Sequence, residues 1–481
     1  MKDQSKASST GNSNHVVPRK ALRLQNSTRA RRACVAVVFV TLYVLLDRST
    51  VFFQMWSGVS AWYPPSGLSL AMLIGFGSSY MPLVMLGGAI AGVVNYHQSV
   101  FSFNTIGANL AVSGGYYAAA FVLRKVLKID WRLRSMRDVF RLLAISLVSS
   151  CAVAFAGVLM GVADHAIKPS EYLHASITWW VGDAVTLASL TPFLLVYVMP
   201  WLLRFCRMPV TKTEERTGRK KTLRYGVRTV LVWTESLLLT ASIGGTLWLV
   251  FLGSYSHRSE LFYLFFLPII WMAVRRGLRG VTAGILALNV GIIVLLRMYP
   301  QDNQQIAVVQ FLMLILSLTG LVLGAVISER DVSKRRLSEE EERIRLLLES
   351  TAEAIYGVDL MGACTFCNPA FLRLMGYESR EEILGKNMHD LVHHTLPDGR
   401  PYPAEECPLG YASAYGKKIH APDELFWRAD GTSLAVEMWS YPMTRQRIAR
   451  VRCDVPGRDR AQACRNGLAS SERGRGGCES R

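Results

Sequence analysis

The sequence predicts a polytopic α-helical membrane domain joined to a small soluble α/β module with an antiparallel sheet. Three observations carry that expectation. Of the 481 residues, 51% are hydrophobic and only 19% charged, too apolar a balance for one soluble body. Apolar runs of about 20 residues recur from residue 33 to residue 327, each long enough to cross the hydrocarbon of a bilayer. Behind them the pattern changes, first to a densely charged helix and then to the two-residue alternation of strands.

The net charge of +18 does not point to nucleic acid, because of where the charge lies. Basic residues cluster in short loops between apolar runs, where they orient membrane proteins, so the expected partner is the lipid bilayer and no nucleic acid is expected. The nine cysteines are scattered without the paired framework of an exported disulfide protein, which suits reduced cytoplasmic thiols. Residues 1–32 form a basic start, and the following run contains Asp47-Arg48, so the first run reads as a retained span rather than a cleaved signal.

The positive-inside rule sets the span count. Lys/Arg-rich segments are the N-terminus, 124–141, 204–228, 275–279 and 330–336, while 54–65, 95–103, 163–175, 254–260 and 298–305 are nearly free of them. A single span over 66–95 would put the basic 124–141 loop outside. Two short spans split near Ser78–Pro82 restore the alternation. The expectation is ten spans, at 33–53, 66–79, 81–95, 103–123, 142–162, 176–200, 229–253, 260–274, 279–297 and 306–327, or eight with a re-entrant hairpin at 66–95. Both arrangements leave the two termini in the cytoplasm.

Polar residues inside these runs are the first functional candidates. Asp47, Arg48, Asn109, Asp183, Glu235 and Asn289 sit in or at the ends of apolar runs, where an ionisable group costs several kcal/mol unless paired or hydrated. Asp47 and Arg48 read better as interfacial or helix-tying groups. Asp183, deep in WWVGDAVTLASLTPF and next to Trp180 and Gly182, stays open between a structural tie and a sensing or switching role.

The segments WYPPSGLSLAML (62–73), WWVGDAVTLASLTPFLL (179–195) and WMAVRRGLRGVTAGILAL (271–288) resemble, in order and spacing, the bacterial membrane-associated sensor (MASE) domain of the first described type. The resemblance covers about residues 33–327. It implies a sensor of the cell inner membrane placed ahead of PAS, diguanylate cyclase, phosphodiesterase or histidine kinase modules. Trp62, Pro64, Pro65, Gly67, Trp180, Gly182, Asp183, Pro192, Arg276, Gly277, Arg279 and Gly280 fall on its matching positions. Asp183, Trp180, Gly182, Trp62 and Pro65 form the candidate sensing set. The segment NTIGANLAVSGGYYAAAFVLRK lacks the acidic residue that the resemblance implies near its start.

Residues 328–348 read as a helical connector, in which Leu337 and Ile344 lie seven apart with Leu347 and Leu348 close behind. A parallel homodimer helix and a single solvated helix both fit. Within 349–443, EAIYGVD and ACTFC read as strands around a Met361-Gly362 turn, NPAFLRLMGY opens a helix at Asn368-Pro369, and Asp430-Gly431 marks a hairpin. NPAF…LMGY and WRADGT resemble a PAS domain, which implies a module that binds a small ligand or cofactor, or dimerises and relays. Phe366, Phe371, Met375, Phe426 and Trp439 are its candidate pocket or core residues.

Other residue groups in the module read more plainly. Cys364 and Cys367 lie three apart on a strand and are expected on opposite faces, which argues against a zinc site. His389, His393 and His394 with Cys407 read as loop-fixing residues, so no metal site is expected, and no residue pattern names a cofactor. No phosphate loop, histidine phosphoacceptor box, GGDEF or EAL stretch or metalloprotease signature occurs, so no catalytic residue is expected.

The tail, 444–481, is rich in Arg and Gly, has no Lys and shows no strand or helix period, so it is expected to be disordered or out of frame. Read one nucleotide later with permitted codons, Arg445–Arg465 can give DSESHGCVATFLDVTERKRAE, a strand followed by a PAS-like exit. The expectation is a slipped frame near Thr444, a PAS domain lacking its last strand, and an output lying outside this chain. A membrane sensor signalling through the PAS domain, responding to a small molecule or membrane-borne signal, is the leading functional reading. A transporter or membrane enzyme with a regulatory PAS domain is its rival, without clear internal repeats to support it. A scaffold acting by dimerisation alone is the third.

Overall fold

The computed structural model describes residues 19–51, 54–56, 59–60, 62–97, 103–206, 225–252, 258–298, 303–407, 418–442 and 447–453. The chain divides into two compact units, Met1–Ser333 and Lys334–Arg481.

The first unit is built from helices α1 (Arg19–Val51), α2 (Pro64–Phe76), α3 (Met81–Tyr96), α4 (Phe103–Phe121), α5 (Met136–Ala163), α6 (Tyr172–Phe193), α7 (Met199–Phe205), α8 (Tyr225–Leu252) and α9 (Phe266–Met298). The next helix, α10 (Asn303–Ser350), begins there as well. A two-stranded ribbon, β1 (Gln54–Trp56) with β2 (Val59–Ser60), lies between α1 and α2. Helices are what these apolar runs can form, because lipid offers the backbone no hydrogen-bond partner and a helix satisfies its own. Eight helices among the described residues are long and apolar enough to cross a membrane, and Pro64–Phe76 is a shorter apolar helix beside them.

Two breaks divide long apolar stretches. Gly77, at φ +108°, ends α2, and Pro82 stands in the first turn of α3. Arg124 donates to the Ile74 carbonyl at 2.7 Å and to the Leu73 carbonyl at 3.2 Å, the latter shared with the Gly77 amide, at the end of α2. The second break is in α9 at Gly277, with φ 58° and ψ −149°. A side chain added at Gly284 would strike Met272, although residues twelve apart on a straight helix are separated by about 18 Å. The two limbs of α9 therefore fold back on each other.

Cross-helix bonds sort the helix ends. Arg31 reaches the Phe205 carbonyl (3.1 Å), Tyr197 the Arg279 carbonyl (2.9 Å), and the Leu278 amide Ser328 (2.8 Å). The Met136 amide donates to Glu329 at 2.7 Å. With Arg124 on the end of α2, these bonds gather the basic segments around residues 31, 124–141, 204 and 275–279 at one end. Asp47, Tyr63 and Asn95 meet at the other, through bonds of 2.9 and 2.8 Å.

The second unit carries β3 (Ala354–Val358), β4 (Cys364–Cys367), α11 (Pro369–Met375), α12 (Met388–Val392), β5 (Ile419–Trp427), β6 (Ser433–Pro442) and β7 (Arg447–Cys453). The strands form an antiparallel sheet in the order β4-β3-β7-β6-β5. Glycines at positive φ make the expected turns, Gly362 at 82° and Gly431 at 78°. Asn368, 2% exposed, caps α11 by accepting from the Phe371 amide, accepts from the Ile355 amide, and donates to the Leu348 and Glu353 carbonyls.

Two expectations are corrected here. The sheet does not lack its last strand: β7 lies between β3 and β6, with Val451 opposite Ala354 and Met438, and Ala449 opposite Tyr356 and Ser440. Ala449, Val451 and Cys453 alternate with Arg450 and Arg452, a two-residue period hidden by its basic members, and two flanking ladders supply the backbone bonds. The rest of the tail, 454–481, lies outside the described residues, as do 443–446. Second, Cys364 and Cys367 are both buried on one side of β4. A bulge pairs Gly357 with Phe366 but Val358 with Cys364, and the extra residue resets the alternation. Cys364 hydrogen-bonds to Cys367, which pushes the Cys364 thiol up and holds the Cys367 thiol below its ordinary value.

Candidate functional site

The site in the first unit is built where α2, α4 and α6 meet. Gly67 lets α2 approach α6 closely: a Cβ there would come within 3.0 Å of Thr186 Cγ2 and 3.1 Å of Leu190 Cβ. Polar ties then fix the pair. The Tyr63 amide donates to Thr186 Oγ1 at 3.2 Å, Thr186 Oγ1 donates to the Gly182 carbonyl at 3.0 Å, and Thr191 Oγ1 donates to the Gly67 carbonyl at 3.2 Å. Trp62 and Pro65 are buried at the start of α2.

Asp183 is 1% exposed on this face of α6. Its Oδ2 accepts a hydrogen bond from the Tyr116 hydroxyl of α4, while its Oδ1 is buried with no geometric hydrogen bond among the described residues. Ser66 and Trp179 flank the carboxylate. The tryptophan beside Asp183 is thus Trp179, one turn earlier on the same helix face. Trp180, the sequence candidate, instead donates from Nε1 to the Leu147 carbonyl of α5 at 3.1 Å.

A second carboxylate lies toward the end of α1. Asp47, 1% exposed, accepts from the Tyr63 hydroxyl (2.9 Å) and the Asn95 amide (2.8 Å) and so ties α1 to α3 and to the residue before α2. Tyr43, fully buried, lies within electrostatic reach of both Asp47 and Asp183. Tyr43, Tyr63 and Tyr116 were not singled out by the sequence, since a tyrosine in an apolar run reads as core until its partner is known.

The other polar candidates pair locally. Asn109 donates to the Met85 carbonyl (2.8 Å), Asn289 to Ser317 Oγ (3.1 Å), and Arg275 bridges Glu235 (2.8 Å).

In the second unit Phe371, Met375 and Phe426 are fully buried in one core with Tyr356, Val436 and Met438. Phe366 is half-buried, and Trp439 is half-buried and stacked on His420 at 4.9 Å. His389, His393 and Cys407 come together, whereas His394 turns away to Thr395 and stacks on Trp427.

The chain thus joins a bundle of membrane-length helices with buried carboxylates to a small antiparallel α/β module. The family model MASE1 matches residues 31–331, more than half of the chain, and the protein belongs to that family. A second family model, PAS fold, matches residues 342–444. Both are sensory rather than catalytic domains.

Solved structures similar to part of the chain include the PAS domain of an HTR-like protein from Haloarcula marismortui, at 20% identity over 26% of this chain and 99% of that one, TM-score 0.22. A domain of a sensory box histidine kinase/response regulator from Geobacter sulfurreducens matches at 20% identity over 24% and 96%, TM-score 0.21. The PAS domain of nitrogen regulation protein NR(II) from Vibrio parahaemolyticus matches at 21% over 23% and 96%, TM-score 0.19. No curated protein matches the chain.

Proposed function

We propose that the protein is a sensor of the bacterial inner membrane, with both termini in the cytoplasm, that relays a small-molecule or membrane-borne signal to its PAS domain. The observation that carries this reading is Asp183: a carboxylate 1% exposed that accepts from Tyr116 at Oδ2 and is flanked by Ser66 and Trp179, with no geometric hydrogen bond to Oδ1 among the described residues. A group that costly at membrane depth is retained for a purpose, and a proton, cation or ligand donor reaching Oδ1 would favour one packing of α2, α4 and α6 over another. Basic segments gathered at one end of the bundle support the orientation.

The connector, 328–348, is the proposed route. Leu337, Ile344 and Leu347 are 63%, 57% and 59% exposed, a seam suited to a second copy of the chain. The output that the PAS domain instructs is proposed to lie outside this chain, beyond a change of reading frame near Thr444. Similarity to the PAS fold model ends at residue 444, while β7, encoded after that point, still pairs with β3 and β6.

Disulfide cross-linking in native membranes tests the relay. An Ile344→Cys protein should form a cross-linked dimer above the level set by the native cysteines. Asp183→Asn in the same chain should change that yield at least twofold with abundance unchanged. An unchanged yield, or no dimer at all, speaks against the proposal, and substrate uptake into proteoliposomes would favour a transporter.

A further inference from the structure

We propose that His389, His393 and Cys407 form a binding site in the PAS domain for a divalent metal ion of the Zn²⁺ class. His389 lies in α12 and His393 caps it, four residues on and therefore on the same side. The chain from His394 returns through a Thr395–Pro401 bridge and a bond from the Tyr402 amide to the His394 carbonyl, which brings Cys407 back over the helix end. One ligand atom from each of the three side chains lies within 4.8 Å of the others, and His393 Nδ1 is 3.2 Å from Cys407 Sγ. Zn–N bonds of about 2.0 Å and Zn–S bonds of about 2.3 Å place tetrahedral ligand atoms about 3.3–3.6 Å apart. The Nδ1–Sγ edge is close to that spacing, and the widest, at up to 4.8 Å, closes by about 1.2 Å when an ion is held.

The surrounding groups prepare the imidazoles for an ion. His393 Nε2 is 2.7 Å from Glu424 Oε2, and His389 Nε2 is 3.0 Å from the Tyr402 carbonyl. Carbonyl and carboxylate oxygens accept, so each Nε2 donates to its acceptor, and the neutral ring offers its Nδ1 lone pair to an ion, the arrangement in which outer acceptors orient histidine ligands. His389 Nδ1 is buried with no hydrogen-bond partner among the described residues.

His393 and Cys407 are each 1% exposed, so the site is shielded beneath Phe426 and Tyr402, whose rings lie 5.3 and 4.8 Å from the His393 ring. On binding, the proton shared between Cys407 Sγ and His393 Nδ1 is released to solvent and two metal bonds, to N and to S, replace it. The Cys407 thiolate and the Glu424 carboxylate then balance the charge of a divalent ion. Among the described residues three side chains converge, which leaves the fourth coordination position to water or a small exogenous ligand.

Co²⁺ is the probe, added to the full chain purified in detergent under reducing conditions without a histidine tag. One Co²⁺ per chain should bind with a thiolate-to-cobalt charge-transfer band in the near ultraviolet and tetrahedral d–d bands in the visible, all removed by Zn²⁺. Cys407→Ser should abolish the charge-transfer band, while Cys364→Ser with Cys367→Ser should keep it. His389→Ala should weaken binding at least tenfold, with a modest loss of stability from its Nε2 bond to the Tyr402 carbonyl, and Glu424→Gln should weaken it by about 10–100-fold through His393. Absence of a thiolate band in the wild-type protein, its persistence in Cys407→Ser, or unchanged affinity in His389→Ala would overturn the site.

Discussion

Gly277→Ala should destabilise the membrane domain by about 2–4 kcal/mol, from two sources that can be separated. At φ 58° and ψ −149°, Gly277 occupies a region almost closed to residues with a Cβ, at a cost of about 1–3 kcal/mol. A Cβ there would also overlap Ser328 Oγ, which accepts from the Leu278 amide at 2.8 Å, and displacing it gives up a bond worth about 1 kcal/mol. Ser328→Ala alone loses only the bond. In the Ser328→Ala background Gly277→Ala should therefore cost less than in the wild type, with a coupling of about 0.5–1 kcal/mol. Gly244→Ala in α8, where an added Cβ meets nothing within 4 Å, is the control and should be neutral or slightly stabilising. Unfolding of the purified protein in mixed detergent micelles, followed by tryptophan fluorescence, reads all four proteins. A Gly277→Ala protein as stable as wild type, or strict additivity with Ser328→Ala, would refute the folded-back geometry of α9.

Three further outcomes are expected. Asn368→Ala removes the cap of α11 and three other buried bonds and should destabilise the PAS domain by about 2–4 kcal/mol, seen as faster proteolytic release of that unit. Phe371→Ala empties a fully buried core position and should cost about 3–5 kcal/mol by the same assay, and a loss under 1 kcal/mol would contradict the packing. Sequencing the gene past codon 444 should reveal an open frame one nucleotide later that encodes a connector helix and an output domain; a closed frame rules that proposal out.

Much of the architecture was legible in the sequence because strong local signals and global packing agree. Pro82 with Ser78-Ser79 marked the break between α2 and α3, Asn368-Pro369 marked the capped start of α11, and Asp430-Gly431 marked the hairpin. Charge placement alone predicted which helix ends share a side. What escaped were features decided by neighbours distant in sequence. Trp179 and Trp180 are adjacent in the chain, and only the position of α5 decides which of them faces Asp183. Tyr116 and Tyr117 are equally plausible partners on paper, yet Tyr116 alone is fully buried against the carboxylate. One bulged residue in β4 reversed the expected facing of Cys364 and Cys367, since every side chain beyond a bulge changes face. β7 was missed because its arginines outweighed its short apolar alternation, although two ladders recruit its backbone.

The central claim, that a perturbation at Asp183 is felt in the PAS domain, is tested most directly by hydrogen exchange of the full chain in lipid nanodiscs. Asp183→Asn should alter exchange both around α2, α4 and α6 and in residues 334–358, which include the connector end and β3. Asn289→Leu, which breaks only the bond to Ser317, should alter exchange around α9 and α10 within the first unit and leave 334–358 unchanged. If Asp183→Asn changes exchange only before residue 334, the buried carboxylate is a structural tie and the relay is wrong.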